Sequence, residues 1–266
     1  MEITSVNNDL VKETVKLLQK KYRDKEDKFI LEGAKCVEEA ICAGLEIEHI
    51  FVLRGKENNF SFCHCEESLS STSQSPVDRF LKKIVITTEP VLKKISATDS
   101  VPEVVAVARK KHYDIKDLTD VKKVVLLENI KDLGNLGTIL RTSVAFGVDA
   151  VVLYGRECAD IYNPKCVRST VGNLWKIPVV YIEDFEVIKR VFKGFERVAT
   201  LPRANNYLKN FEVKTPFVVM FGSEADGLSD ELANFSTERV KIEMSDNVES
   251  LNLSVSCAVV LYKLFV

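Results

Sequence analysis

The sequence predicts an α/β protein of two domains, and three features carry that expectation. Short apolar runs rich in β-branched residues recur, as at 124–127, 150–153 and 217–221, with the length and composition of strands covered on both faces of a parallel sheet. Polar, glycine-bearing loops and helical periodicity alternate with these runs, the pattern that layers helices on such a sheet. Between 110 and 120 the chain turns charged and loses apolar periodicity, which marks a boundary. Eight of the eleven glycines lie beyond it, so the tight loops belong to the second half. The domains are therefore placed at 1–109 and 121–266, joined by a linker over 110–120.

Residues 9–21 set Leu10, Thr14, Leu17 and Leu18 among lysines, a helix with one buried and one basic face. A short strand over 29–31 follows, then a turn at Glu32-Gly33 into a helix over 34–43 that Gly44 closes. Residues 47–53 read as a strand, and the Asn, Ser, Glu and Gln-rich stretch 55–76 as a surface loop. A short helix around 77–81, a strand over 84–87, a helix around 90–95 and a strand over 104–108 complete the first domain. In the second, the strand 124–127 opens through Gly134, Asn135 and Gly137 into a helix whose Leu136, Ile139, Leu140, Ser143 and Val144 share a face. Gly147 stops it before the strand 150–153. Strands over 179–182, 197–201 and 217–221 follow, and a helix over 251–265 ends the chain.

Over the 266 residues, 46% hydrophobic and 29% charged content is that of an ordinary globular protein. No apolar stretch reaches the ~18 residues of a membrane helix, and the first ten residues lack a signal- or transit-peptide layout, so no membrane partner and a cytoplasmic location are expected. Seven scattered cysteines suit reduced thiols. Cys63-His64-Cys65 is too tightly spaced for a zinc knuckle, and no metal is expected. A net charge of −2 leaves any nucleic-acid contact to local patches.

Three loops of the second half share a style, each polar and placed after an apolar run: 128–137, 221–228 (FGSEADGL) and 248–254 (VESLNLS). In open α/β sheets such loops sit at the carboxyl ends of strands, where ligands bind. Asn129, Asn135 and Arg141 are candidates on that ground, although the same residues serve equally as turn residues, helix caps and a solvated helix charge. Ser229 or Ser250 would cap the helices that follow the other two loops. Histidine occurs only at 49, 64 and 112, so a Ser-His-Asp hydrolase is excluded from this half. Neither GxGxxG after a strand nor GxxxxGK[ST] occurs. The chemistry left is a transfer that needs positioning and charge management.

The three loops, in this order and spacing, resemble the SpoU (TrmH-like) family of AdoMet-dependent RNA 2′-O-ribose methyltransferases, over residues 123–266. KFILEGAKCVEEAICAG (28–44) resembles that family's N-terminal RNA-binding domain of L30e type. The resemblance implies a SPOUT α/β fold with a trefoil knot and a mostly parallel sheet, S-adenosylmethionine as methyl donor, a homodimer, and RNA as partner, ribosomal RNA before transfer RNA. It further implies that Arg141, Asn135, Glu224, Ser250 and Asn252 line the active site, and that Thr200, Gly222, Ile242, Met244 and Leu251 hold the cofactor. Lys165 and Arg168, from YNPKCVRSTVGNLWKIP (162–178), together with Lys28 and Lys35, are the implied RNA contacts. The chain departs from the family pattern at Leu133 and Glu243, where proline is usual; an acid at 243 bears on cofactor affinity.

The implied activity is attack of a ribose 2′-hydroxyl on the methyl of AdoMet. A guanidinium holds its proton and is a poor base, so Arg141 is read as stabilising the developing alkoxide and gripping the adjacent phosphate, with Asn135 and Asn252 orienting Arg141 and the ribose. Glu224 is expected to fix Arg141 or its loop. The rival is a non-catalytic RNA-binding or ribosome-assembly protein on the same scaffold, against which the intact polar positions speak. In the last helix Leu251, Val255, Ala258, Val259 and Tyr262 form one apolar stripe. Leu261, Leu264 and Phe265 form a second, expected to stay exposed on a single chain, which places this helix at the dimer interface.

Overall fold

The computed structural model describes residues 1–57, 82–245 and 247–265. They pack as two compact units, Met1–Lys111 with Asp160–Trp175, and His112–Ala159 with Lys176–Val266. The expected helix around 77–81, most of the stretch 55–76 and the Cys63-His64-Cys65 triplet lie outside the described residues.

The first unit opens with β1 (Glu2–Ile3), α1 (Asp9–Lys16) and α2 (Lys20–Glu26). One helix was expected over 9–21; the chain instead breaks after Lys16, and α2 ends at a left-handed Asp27 (φ 55°). Then come β2 (Lys28–Glu32), α3 (Ala34–Cys42), β3 (Ile47–Leu53), β4 (Ile84–Thr87), α4 (Glu89–Ile95) and β5 (Val104–Arg109). The sheet order is β1-β4-β3-β5-β2, with β1, β4 and β3 mutually parallel and the β3/β5 and β5/β2 pairs antiparallel. Val11 of α1 and Val91, Leu92 and Ile95 of α4 pack on Ile30, Phe51 and Val105 of the sheet. This is why β2, β3 and β5 read as continuous apolar runs.

The second unit begins with a 3-10 turn (Ile115–Leu118), β6 (Lys123–Glu128), α5 (Leu133–Ala145) and β7 (Ala150–Tyr154). The chain then contributes Asp160–Trp175, carrying α6 (Pro164–Thr170), to the first unit. There Arg168 pairs with Glu32 (2.6 Å), the buried Arg23 pairs with Asp160 (2.6 Å), and the Tyr162 ring lies 4.7 Å from that of Phe29. Residues 160–175, read from sequence as part of the second domain, thus share the core of the first. The second unit resumes with β8 (Val179–Ile182), α7 (Phe185–Val191), β9 (Glu196–Thr200), β10 (Asn206–Tyr207), β11 (Phe217–Phe221), α8 (Asp230–Phe235), β12 (Glu238–Lys241) and α9 (Leu253–Phe265).

Its sheet runs β10-β12-β9-β11-β6-β7-β8, with every neighbouring pair parallel. From β6 the chain builds outward through β7 and β8, crosses to β9 two places beyond β6, and only later fills the gap with β11. β7 and β11 are buried along their whole length, and β6 from Val124 onward, as strands covered on both faces must be. Because every carboxyl end lies at one edge, the loops after β9, β11 and β12 meet there.

The last helix packs on α5 and sets Phe265 against Phe217, with ring centroids 4.9 Å apart. Leu261 and Phe265 are buried, which corrects the expectation that their face stays exposed; the open face carries Val255, Val259 and Tyr262. Cys36, Cys158, Cys166 and Cys257 are in no disulfide, whereas Cys42 is disulfide-bonded and departs from the reduced state expected of it. No helix among the described residues is long and apolar enough to cross a membrane.

Candidate active site

A cavity of about 670 Å3 opens where β9, β11 and β12 end, at Thr200, Phe221 and Lys241. Thr200, Gly222, Glu224, Ile242, Met244, Ser250, Leu251 and Asn252, all named above from sequence, line it. Apolar Leu201, Leu228 and Val260 share its wall with the carboxylates of Asp226 and Glu249. The Thr200 hydroxyl donates to the Met220 carbonyl (2.8 Å), which ties β9 to β11 and leaves the hydroxyl able only to accept from a ligand.

The loop 222–228 owes its shape to a steric fact. A Cβ on Gly222 would stand 1.9 Å from the Gly227 carbonyl carbon and 2.0 Å from the Leu228 nitrogen, so only glycine lets the loop fold back on itself. Ser223 and Gly227 then exchange backbone hydrogen bonds of 3.1 and 3.0 Å, with Gly227 at φ 70°. This turn aims Glu224 at Asn135. The Asn135 amide donates to Glu224 Oε1 (2.9 Å), while its carbonyl accepts from the Asn252 amide (3.0 Å). A carboxamide can donate to a carboxylate and accept from an amide at once, so the three loops are closed into one chain by residue chemistry.

The helix starts differ from expectation. Asp132 caps α5, accepting from the Asn135 backbone (2.7 Å), so Gly134 and Asn135 lie within its first turns and Asn135 keeps its side chain for the site. Gly134 and Gly137 both lie inside the helix rather than in the loop before it. Asn252, not Ser250, caps α9: its Oδ1 accepts from the Ser254 backbone at 2.9 Å, while its amide reaches Asn135. Leu133 occupies the first position of α5, where proline is favoured, so this departure leaves the helix start unchanged. Glu243 is outside the cavity lining and ion-pairs with Lys209, which takes its charge away from the cofactor site.

Arg141 is not brought to the cavity. It lies exposed on α5, six residues and about 240° round the helix from Asn135, with no hydrogen bond or ion pair among the described residues. Neither Glu224 nor an Asn touches Arg141 itself; Glu224 instead accepts from Asn135 at the start of the helix that carries it. Asn129 is a turn residue, left-handed at φ 46°, whose side chain fills the space a Cβ on Gly155 would need. In the first unit Lys35 and Lys165 are exposed, whereas Lys28 pairs with Glu48 (2.7 Å) and Arg168 with Glu32.

Two residues the sequence reading passed over support the same loops. Glu128, buried at the end of β6, accepts from the Ser229 backbone (2.8 Å) where α8 begins. Tyr154, ending β7, donates to Glu231 (2.9 Å) in the first turn of α8. Burial, then the Glu231 carboxylate, pushes the Tyr154 hydroxyl up, so it stays a donor. The legible signal was a polar side chain ending an otherwise apolar buried strand. Burial likewise pushes the Cys158 thiol up to about 11 and raises that of Cys257 beside the cavity, so neither is a thiolate at neutral pH.

A concave site lined by both apolar side chains and acidic and amide residues suits an adenosine-bearing cation such as S-adenosylmethionine. Parallel-sheet topology with such a site at the carboxyl ends of its strands fits a nucleotide-cofactor group-transfer enzyme. Comparison with known proteins narrows this. Residues 122–262 match the model of the SpoU rRNA Methylase family, and 8–106 that of the MRM3-like substrate binding domain. A Synechocystis protein described as an uncharacterised tRNA/rRNA methyltransferase is 31% identical over 98% of this chain and 92% of its own. The 23S rRNA (guanosine(2553)-2′-O)-methyltransferase RlmP of Bacillus subtilis is 28% identical over 99% and 98%. The AdoMet-bound rRNA methyltransferase of Sinorhizobium meliloti superposes with a TM-score of 0.82 at 26% identity, over 99% of this chain and 96% of that one. The chain belongs to the SpoU rRNA methylase family and is an S-adenosylmethionine-dependent RNA (ribose-2′-O)-methyltransferase of SPOUT α/β fold.

Proposed function

We propose that this enzyme methylates a ribose of ribosomal RNA, with the cofactor in the cavity at the ends of β9, β11 and β12 and the acceptor ribose at the rim marked by Asn135, Glu224 and Asn252. The Glu224–Asn135–Asn252 hydrogen-bonded chain carries this reading, since through Asn135 on α5 it joins two cavity-lining segments distant in sequence. S-adenosylmethionine, held by Gly222, Ile242 and Leu251, would supply a methyl on its sulfonium and leave as S-adenosylhomocysteine when the methyl–sulfur bond breaks; the acceptor 2′-hydroxyl gives up its proton to solvent. Asn135 and Asn252 orient the ribose, Glu224 holds Asn135 in its donor orientation, and Ser250 stands beside the acceptor. Glu128 and Tyr154 hold the start of α8 and with it the loop of Glu224. Arg141, exposed and without a hydrogen bond or ion pair among the described residues, is free to grip the phosphate beside the target ribose and to stabilise the alkoxide as it forms. Lys35 and Lys165 meet RNA phosphates on the first unit, where Lys28 and Arg168 keep part of their surface open. A ribosomal substrate goes with a cytoplasmic location.

Calorimetry in the presence of chelator is expected to show AdoMet binding without added metal, and S-adenosylhomocysteine is expected to form only when RNA is supplied. No heat at millimolar cofactor would remove the cavity assignment.

The protein is also proposed to be a homodimer through α9. Val255, Val259 and Tyr262 are 48, 40 and 65% exposed on one stripe, with the Tyr262 ring 6.1 Å from Phe146 of α5. Such a stripe is unfavourable in water unless covered. Light scattering should give twice the 30.0 kDa chain mass, and Val259→Glu should give the chain mass alone. A wild-type monomer at micromolar concentration rejects the dimer.

A further inference from the structure

Beyond the cofactor cavity the sheet continues to its edge strand β10, and there stands an aromatic ring that the site so far described does not use. Tyr207 is 40% exposed. Its backbone is fixed: β10 pairs in parallel with β12, placing Asn206 opposite Val240 and Tyr207 opposite Lys241. Ala204 and Leu208 on either side are buried, and a 3-10 turn over Leu208–Asn210 closes the segment behind the ring. Lys241 has its ammonium 4.6 Å from the ring centroid, and Lys209 has its own at 5.5 Å. Lys241 also lines the cofactor cavity, as does Pro202 from the same connection, so the ring adjoins the cavity mouth without being part of its wall. Arg203 is exposed three residues beyond Thr200.

An exposed aromatic side chain on a pinned backbone, rimmed by flexible cations, has the make-up of a stacking platform for single-stranded nucleic acid. We infer that Tyr207 stacks one unpaired base of the substrate RNA next to the target nucleotide, with Lys209 and Arg203 on the flanking phosphates. Exposed lysine–tyrosine contacts are weak, so the ammonium groups leave the ring face readily. Phosphate is the better partner for them once an RNA strand arrives. Lys209 then exchanges Glu243 for the backbone, which makes the ion pair of these two residues a placeholder in the free protein. The face offered is a ring plane without a base-reading fork, so the subsite selects an unpaired base over a paired one and is tolerant of which base it is.

This inference rests on RNA being the substrate, and its test separates the two. Fluorescence anisotropy with a labelled twelve-nucleotide unstructured oligoribonucleotide is measured for the parent, Tyr207→Ala, Tyr207→Phe and Lys209→Gln proteins, each saturated with AdoMet, alongside calorimetric AdoMet affinity. Tyr207→Ala is expected to weaken RNA binding about tenfold, within the range one base–aromatic stack contributes. Tyr207→Phe should stay within about twofold of the parent, since the ring face is retained. Lys209→Gln should lower the salt dependence of binding by about one phosphate contact. AdoMet affinity should not move in any of them. Unchanged RNA affinity in Tyr207→Ala overturns the platform, as does a parallel loss of RNA and AdoMet binding with a lowered melting temperature. Absence of RNA binding by the parent removes the underlying reading instead.

Discussion

Arg141→Lys is expected to cut methyl transfer by about a hundredfold to a thousandfold while AdoMet affinity stays within a few-fold of the parent. Lysine keeps the charge but loses the planar fork, so simple neutralisation survives the change and bidentate gripping of phosphate and alkoxide does not. An interaction made only in the transition state lowers the rate without weakening ground-state binding, and losing one such donor costs about 3 to 4 kcal/mol. The separation of the two effects is sharpened by placement. Arg141 lies on the exposed side of α5, off the cavity lining, so nothing links it to the cofactor pocket. Single-turnover transfer and calorimetric cofactor affinity, both on one preparation, give the answer. A mutant that keeps more than about a tenth of the parental rate makes Arg141 a solvated helix charge, and the catalytic role then passes to the Asn135–Glu224–Asn252 chain.

The parts of this molecule that were legible in its sequence are those set by local chemistry. β3, β4, β8 and β11 lie where β-branched runs end at polar residues, and the parallel sheet follows from strands such as β6 and β7 that show no polar alternation. β12 escaped because Glu238, Arg239 and Lys241 leave Val240 as its only fully buried residue, and β10 because two exposed residues at a sheet edge leave no pattern. α6 carried its signal openly, with Asn163 capping and Pro164 in the first position, yet it spans only seven residues between stretches without periodicity.

What could not be read was which parts of the chain meet. The ties of residues 160–175 to the first unit, Arg23 to Asp160 and Arg168 to Glu32, span 137 and 136 positions. Asn135 and Asn252 are 117 apart. Each end looks in sequence like an ordinary cap or surface charge. The family resemblance supplied the cavity residues because motifs preserve long-range geometry that periodicity does not express. It failed to show that Arg141 stands apart from them, since six helical positions suffice to turn a side chain to the other side.

Gly222→Ala is expected to weaken cofactor binding, lowering AdoMet affinity by about 5- to 150-fold, and to do so without unfolding the sheet. The added Cβ would sit 1.9 Å from Gly227 carbon and 2.0 Å from both Gly227 oxygen and Leu228 nitrogen, all backbone atoms that no rotamer change can move aside. The loop 222–228 must therefore open by an ångström or more. Opening it breaks the Ser223–Gly227 exchange and withdraws Glu224 from Asn135, so the cavity loses a wall and the polar chain loses its acidic end. Overpacking of this kind costs about 1 to 3 kcal/mol, and with every 1.4 kcal/mol a factor of ten this gives the stated range. Glu128 still anchors Ser229 at the far end of the loop, which confines the damage to the cavity side. Gly194→Ala is the control: it has no atom within 4 Å of the new Cβ and should bind AdoMet as the parent does. Calorimetry on both variants, with circular dichroism to follow melting, reads the two effects apart. If Gly222→Ala binds AdoMet within threefold of the parent, the loop after β11 does not form the cofactor wall, and the cavity belongs to the segments after β9 and β12 alone.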